Sequence, residues 1–266
     1  MKSFDINIDC GESYGIWKMG ADEELMPIVS TANLACGFHA GDPMTMVRTI
    51  ELAKANGVSV GAHPGLPDVV GFGRRRIDVS PDETYAIFCY QIGALQGLLR
   101  TRGMALHHVK SHGAYYAILN EDRAQAEAVI QAVIDTCDAP MLYYPAPMRT
   151  HLLTQVALDR GVDVVQEIYF DLPYDRHGNL VLERAQNKGA DLAETRHRLA
   201  DYLDSGELVA VTGERIDMSE ARSICLHGDG ANAPALAKVL REVLVERNYA
   251  LEAAAAPDPR RSQAAE

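Results

Sequence analysis

Residues 4–9, Phe-Asp-Ile-Asn-Ile-Asp, alternate apolar and polar side chains. A period of two is that of a strand with two unlike faces, so Asp5, Asn7 and Asp9 share one of them. Short apolar runs at 31–36, 58–61, 106–110, 141–144, 162–167 and 223–226 predict further strands. Between them the apolar spacing becomes helical, over 21–30, 43–56, 80–102, 123–136, 147–160, 189–204 and 233–248. The punctuation agrees with this reading. Asp42 before Pro43, and Ser80 with Glu83 three residues on, are helix starts, and Gly57, Gly103 and Gly161 are helix stops. Residues 169–187 form a long loop rich in Asp, Pro and Gly, of the kind used as a lid or binding loop. Residues 207–218 carry short extended pieces.

Strands alternating with helices of this length predict parallel βαβ units. The expected fold is α/β, a TIM-like (β/α) barrel of seven or eight strands, with a doubly wound open sheet as the alternative. No G-x-G-x-x-G joins a strand to a helix and no Walker A sequence is present, which counts against a dinucleotide fold. Residues 1–250 are expected to form a single barrel domain. The low-complexity stretch after it makes 251–266 an expected disordered tail.

The predicted strand ends share a chemistry. Asp9 and Glu12 follow the first strand, His39 and Asp42 the second, and His63 the third. Lys110 and His112 follow the fourth, Glu167 ends the sixth, and His227 and Asp229 follow the last. In a barrel these groups converge at one mouth, where such enzymes keep their catalytic groups. Histidine and carboxylate together serve as general acid and base near neutral pH. Asp9, Glu12, His39, Asp42, His63, Lys110 and His112 are therefore the catalytic candidates. Arg74 and Arg75, with Glu167, His227 and Asp229, are the candidates for holding substrate or phosphate. The ligand types also allow a divalent metal on Asp9, His39, His63 and His112, although no H-E-x-x-H brings two of them together locally. For each residue a bland reading exists: Asp42 as a helix cap, the arginines as solvated loop residues, Lys110 as the partner of a buried carboxylate. Their recurrence at successive strand ends favours the common site.

Bulk properties narrow the function further. The chain has 266 residues, 47% of them hydrophobic, enough for a full core without disulfides or structural metal. With 37 acidic residues against 25 Lys and Arg, the net charge of −12 argues against nucleic acid or an anionic membrane as partner. No apolar run approaches the ~20 residues of a membrane span. The N-terminus carries no apolar signal segment, and five scattered cysteines read as reduced thiols, so a cytoplasmic location is expected.

Several stretches resemble the 5-oxoprolinase A-subunit (LamB/YcsF) family. They are residues 5–15, Asp-Ile-Asn-Ile-Asp-Cys-Gly-Glu-Ser-Tyr-Gly, and 30–43, Ser-Thr-Ala-Asn-Leu-Ala-Cys-Gly-Phe-His-Ala-Gly-Asp-Pro. They continue with 60–65, Val-Gly-Ala-His-Pro-Gly; 71–75, Gly-Phe-Gly-Arg-Arg; 90–95, Tyr-Gln-Ile-Gly-Ala-Leu; 108–114, His-Val-Lys-Ser-His-Gly-Ala; and 225–229, Cys-Leu-His-Gly-Asp. The resemblance spans roughly residues 5–244 in order, far more specific than any one motif. It implies a barrel related to the glycoside hydrolase/deacetylase-like folds. It also implies ATP-dependent opening of the lactam of 5-oxoproline to L-glutamate, with Mg2+ accompanying the nucleotide and subunits B and C as partners. Asp9, Glu12, His39, Asp42, His63, Lys110, His112, His227 and Asp229 fall on matching motif positions, while their separate roles follow from their chemistry alone. Three positions depart from the family pattern. Ser111 stands for a common proline, Leu172 for an arginine in the late loop, and Gly230 for a threonine. These departures leave open another lactam or cyclic amide as substrate.

Three functions compete at this stage: a stand-alone metal-dependent deacetylase or amidohydrolase, a lactam-opening subunit, and a non-catalytic subunit that binds a small acid. All share one structural expectation. Asp9, His39, His63, His112 and Asp229 should surround one pocket at the C-terminal ends of the strands, with Lys110 paired to Asp9 or Glu12.

Overall fold

The computed structural model describes residues 2–147, 151–181 and 189–255. In chain order the elements are β1 (Lys2–Cys10), α1 (Asp22–Leu25), β2 (Thr31–Ala35), α2 (Pro43–Asn56), β3 (Ser59–His63), α3 (Pro81–Arg100), α4 (Tyr115–Glu121) and α5 (Arg123–Thr136). They continue with β4 (Met141–Pro145), α6 (Leu152–Asp159), β5 (Asp163–Tyr169), α7 (Leu192–Ser205), β6 (Glu207–Val209), β7 (Arg215–Asp217), β8 (Ser223–His227), α8 (Ala233–Glu246) and β9 (Tyr249–Leu251). No helix among the described residues is long and apolar enough to cross a membrane.

The main sheet is parallel, in the order β3-β2-β1-β8-β5-β4. Its two edges meet through residues 106–110. Val109 bridges Ala62 on one side and Leu142 on the other, both in parallel. Ala62 N–H donates to His108 O, Lys110 N–H to Ala62 O, and Val109 N–H to Met141 O. The sheet therefore closes into a ring of seven parallel strands, which is the expected barrel. Closure covers the edges that β3 and β4 would otherwise present, and it gives the strands one common mouth at their C-terminal ends.

The apolar core lies between this ring and the helices. Ile6 and Ile8 on β1, Leu34 on β2, and Ile50 on α2 are fully buried there. The helix starts follow from local chemistry. The Asp42 carboxylate accepts from the backbone N–H groups of Met44 and Thr45, satisfying donors that the first turn cannot, and Pro43 needs no such partner. Gly57 ends α2 with φ 70°, a left-handed conformation that glycine adopts without a Cβ clash. Ser80 and Glu83 close a reciprocal capping box on α3.

Three features depart from the sequence reading. Helix α4 occupies a stretch to which the sequence reading assigns no element, because seven residues are too few for a periodic pattern. The expected helix over 21–30 is only α1, after which the chain turns toward β2. The closing helix stops at Glu246; Asn248 takes φ 60°, and β9 then pairs with Lys2, Ser3 and Phe4. Leu251 thus belongs to β9, and Arg222 donates to Ala255 O. Residues 256–266 of the expected tail, and 182–188 of the expected long loop, lie outside the described residues.

The inner face of the ring is polar. Asp5 accepts from Thr31 and Ser223, Asn7 donates to Glu167 and Ser223, and Asn33 donates to Asn7 and Asp9. Burial pushes the Asp5 carboxyl up to about 6 despite hydrogen bonds from Ser223, Ser30 and Thr31. Gly61, beside Asn33, leaves room for the His108 ring, whose Nε2 lies 2.6 Å from Asn33 Oδ1. A Cβ at Gly61 would stand 2.3 Å from that nitrogen. Gly61→Ala is expected to destabilise the fold by roughly 2–4 kcal/mol, overpacking plus a lost hydrogen bond. The urea midpoint measures this, and His108→Ala in the same chain should recover part of the loss if the clash is its cause.

Candidate active site

Asp9, His63, His112 and Asp229 meet at one cleft, while His39, expected with them, is wholly buried and does not line it. A cleft of about 860 Å³ opens at the mouth of the ring, lined by Asp9, His63, Lys110, His112, Glu167, His227 and Asp229, with Arg74 at its rim. Lys110 reaches into it from the segment that closes the ring. Its Nζ donates to Asp9 Oδ1 at 2.8 Å, stands 2.9 Å from Cys225 Sγ, and lies 3.6 Å from Glu167 Oε1. The resting partner is therefore Asp9, with Glu167 behind it, and not Glu12. Burial opposes the ammonium charge, but Asp9 foremost, with Cys225 and Glu167, holds Lys110 well above its ordinary range.

Asp9 is the hub. Besides Lys110 and Asn33 it faces His63, with Nε2 at 3.5 Å from Oδ2, and His227, with Nε2 at 3.9 Å. Burial would raise its pKa, yet His63 and Lys110 keep the carboxyl well below the usual range. His227 is bound through Nδ1 to Asp171 Oδ2 at 2.8 Å. Burial alone would lower its pKa, and the Asp171 carboxylate outweighs that, lifting it to about 9. At neutral pH the floor of the cleft thus presents two cations, Lys110 and His227, on either side of an ionised Asp9. Glu167 is fully buried, accepting from Asn7 and from the Tyr169 hydroxyl. It braces Lys110 from within the ring.

Deeper on one side lie Glu12, His39, His63 and His112. Each can offer one ligand atom, and these atoms lie within 4.8 Å of one another. The sequence reading places Asp9 in this group. The mutually close set contains Glu12 instead, while Asp9 Oδ1 is engaged by Asn33 and Lys110 and its Oδ2 lies 3.5 Å from His63 Nε2. His39 stacks on His112 with ring centroids 3.7 Å apart. Its approach is possible because Gly65 and Gly73 lack side chains: a Cβ at Gly65 would fall 2.4 Å from His39 Nδ1. Burial, then the neighbouring Asp9 and Asp229, pushes Glu12 well up, and burial pushes His39 and His112 well down.

Two candidates are turned to other work. Asp42 caps α2 and also accepts from Gly15 N–H and the Thr45 hydroxyl, and the Thr45 bond foremost lowers its carboxyl to about 2. Its oxygens are spent on local donors, so the structure gives it no place among the reacting groups. Arg75 closes on Asp68 through Nε and Nη2, away from the cleft lining. Arg74 pairs with Asp229 at 3.3 Å and lies over the Phe72 ring. Three contributors escape the sequence reading. His108 lies two residues before Lys110, on the same strand face, and that alternation is a usable signal. Asp171 sits in the late loop with no local pattern to mark it. Cys225 is a strand residue whose contact with Lys110 only ring closure creates.

The Asp171–His227 pair carries a pH signature. A folded pKa near 9 against an ordinary 6.5 means that this pair's stabilisation is full below pH 6.5 and is lost as pH rises through 9. Imidazole NMR should show His227 titrating near 9, and in Asp171→Asn near or below 6.5. The stability difference between the two proteins should shrink over the same window, from a ceiling of about 3 kcal/mol. An unshifted His227 in Asp171→Asn would show that another group holds its proton.

Comparison with known proteins agrees with this architecture. The LamB/YcsF family profile matches residues 4–258. The 5-oxoprolinase A-subunit of Tolumonas auensis is 42% identical over 254 residues, covering 95% of this chain and 100% of that protein. The crystal structure of the lactam utilization protein from Thermus thermophilus superposes with a TM-score of 0.87 at 40% identity, covering 96% of this chain and 100% of the other. A GH113 β-1,4-mannanase shares the fold alone, with a TM-score of 0.53 at 10% identity over 93% of this chain and 100% of the other. By the extent of these matches and the motifs that line its cleft, the chain belongs to the LamB/YcsF family.

Proposed function

We propose that this chain is the lactam-binding, lactam-opening component of a 5-oxoprolinase, converting 5-oxoproline to L-glutamate at the expense of ATP together with subunits B and C. Relatives named as the A-subunit of 5-oxoprolinase and a lactam utilization protein support the reading. The observation that carries it is the Lys110–Asp9–His227 arrangement on the cleft floor: two cations astride a carboxylate, buried and ready-made.

A lactam is a poor electrophile because nitrogen donates into its carbonyl. Transfer of the γ-phosphoryl group of ATP to the lactam oxygen, with release of ADP, removes that resonance. Water then adds to the carbon, the ring C–N bond breaks as nitrogen takes a proton, and hydrolysis of the resulting acyl phosphate releases phosphate and glutamate. Lys110 and His227 suit the negative charge that gathers on the oxygen or phosphate, since buried fixed cations stabilise such charge without reorganising. Asp9 is ionised and suits the positioning of water. Arg74 at the rim suits the substrate carboxylate. The nucleotide, with its Mg2+, reaches the complex as co-substrate. All three departures, Ser111, Leu172 and Gly230, line this same cleft, so they are the positions at which a different small lactam would be distinguished.

The test is reconstitution with subunits B and C, following 5-oxoproline-dependent ATP hydrolysis and glutamate release. Glutamate formed only when all parts and ATP are present supports the reading. Turnover without ATP that a chelator abolishes would replace it by metal-dependent amide hydrolysis. Lys110→Met is expected to lower the rate per folded molecule at least about a hundredfold, the scale of one lost electrostatic donor. It should also cost about 3–5 kcal/mol of stability, because Asp9 and Glu167 lose their buried cation. A wild-type rate per folded molecule, with only the stability loss, would make Lys110 a structural partner.

A further inference from the structure

Two imidazoles at the edge of the cleft face each other in a way that calls for something between them. His63 Nδ1 lies 2.8 Å from Lys110 O, and His112 Nε2 lies 2.7 Å from Phe72 O. A carbonyl oxygen only accepts, so each of these nitrogens carries the ring's hydrogen. The remaining nitrogens, His63 Nε2 and His112 Nδ1, are then both lone-pair atoms whenever the two rings carry one hydrogen each, and Asp9 Oδ2, 3.5 Å from His63 Nε2, only accepts. The two nitrogens point at each other across 3.0 Å. Two lone pairs at that distance repel unless a proton or a cation lies between them or just beside them.

The surroundings offer a set of metal-ligating atoms. Two nitrogens bound to one zinc ion at ~2.0–2.1 Å stand about 3–3.4 Å apart, which is the spacing seen. Each ring's other nitrogen is anchored on a backbone carbonyl, the kind of outer contact that fixes the tautomer of a metal-binding histidine. His39 is wholly buried, and among the described residues neither of its ring nitrogens has a hydrogen-bond partner. Its Nε2 lies 3.8 Å from Glu12 Oε1. A buried imidazole without a partner is costly in a folded protein, and a shared ion with His63 and His112 would supply one.

We infer that Glu12, His39, His63 and His112 form a binding site for one divalent transition-metal ion. Three nitrogens and one carboxylate oxygen favour an ion of borderline softness such as zinc over magnesium, which prefers oxygen. The site is separate from any Mg2+ that accompanies a nucleotide. It does not rest on the lactam reading: metal binding is read directly, so either can fail while the other stands.

The experiment uses the full chain, stripped with a chelator and dialysed against zinc chloride. One zinc per chain, bound with micromolar affinity or tighter, is expected. His63→Gln and His112→Gln should each weaken binding at least about a hundredfold, since even losing an outer contact costs ten- to a hundredfold. His197→Gln, on α7 away from the cleft, should change nothing. Should the buried histidine variants fail to fold, Glu12→Gln and the wild type itself decide. Nitrogen-15 NMR of the wild type should show His63 Nε2 and His112 Nδ1 shifting on zinc addition. Unmoved resonances, no binding at millimolar zinc, or binding that survives in folded His63→Gln would each overturn the assignment, leaving a shared proton as the group between the rings.

Discussion

A lysine ammonium and an aspartate carboxylate buried 2.8 Å apart inside a ring of strands are the constraint around which this molecule is arranged. Neither charge could be buried alone, since an unpaired ion in a protein interior costs several kcal/mol. Pairing them lessens the cost but leaves lone pairs and protons to satisfy. The inner faces of β1, β2 and β5 do this in steps. Asn33 donates to Asp9, Asn7 supports Asn33 and Glu167, and Glu167 stands behind Lys110. The result is a polar axis down the barrel, from Asp5 in its interior to Asp9 at the mouth. Each member is held by residues from at least one other strand, so the network and the ring closure depend on each other.

That dependence explains why a polar interior is tolerated. The apolar contribution to stability comes from the layer between ring and helices, where Ile6, Ile8, Leu34 and Ile50 are fully buried. The interior is left free for chemistry and is rigid because its side chains are mutually bonded. Glycine has a specific part here. Gly61 admits the His108 ring, and Gly65 and Gly73 admit His39 and His112. Replacing side-chain volume with imidazoles is how a narrow seven-stranded ring gathers so many titratable groups at one end.

The mouth divides into two neighbouring environments. Around Lys110, Asp9 and His227 the charges are fixed, with Asp171 and Glu167 balancing the two cations. On the other side burial keeps the His39 and His112 imidazoles neutral, and His112 turns a lone pair toward His63. Asp9 touches both sets, through Lys110 and through His63.

The amino-acid pattern alone determined the βα alternation, the starts of α2 and α3, and the row of ionisable residues at strand ends. These are local properties: side-chain period, N-cap chemistry and glycine stops act within a few residues. Asp9, His63, Lys110 and His112 could be placed near one another from that row because parallel strands share a direction. Four things were decided only by the tertiary structure. Val109 had to meet both Ala62 and Leu142 before the ring could close. Glu12 came within reach of all three histidines, a group that Asp9 meets at His63. Asp171 came from a loop without periodicity to raise the pKa of His227. Arg75 found a nearer partner than the site in Asp68, and Asp42, already legible as a cap, was tied to Gly15 as well. In each case the deciding quantity is a distance of a few ångströms set by the folded backbone, which no side-chain periodicity encodes.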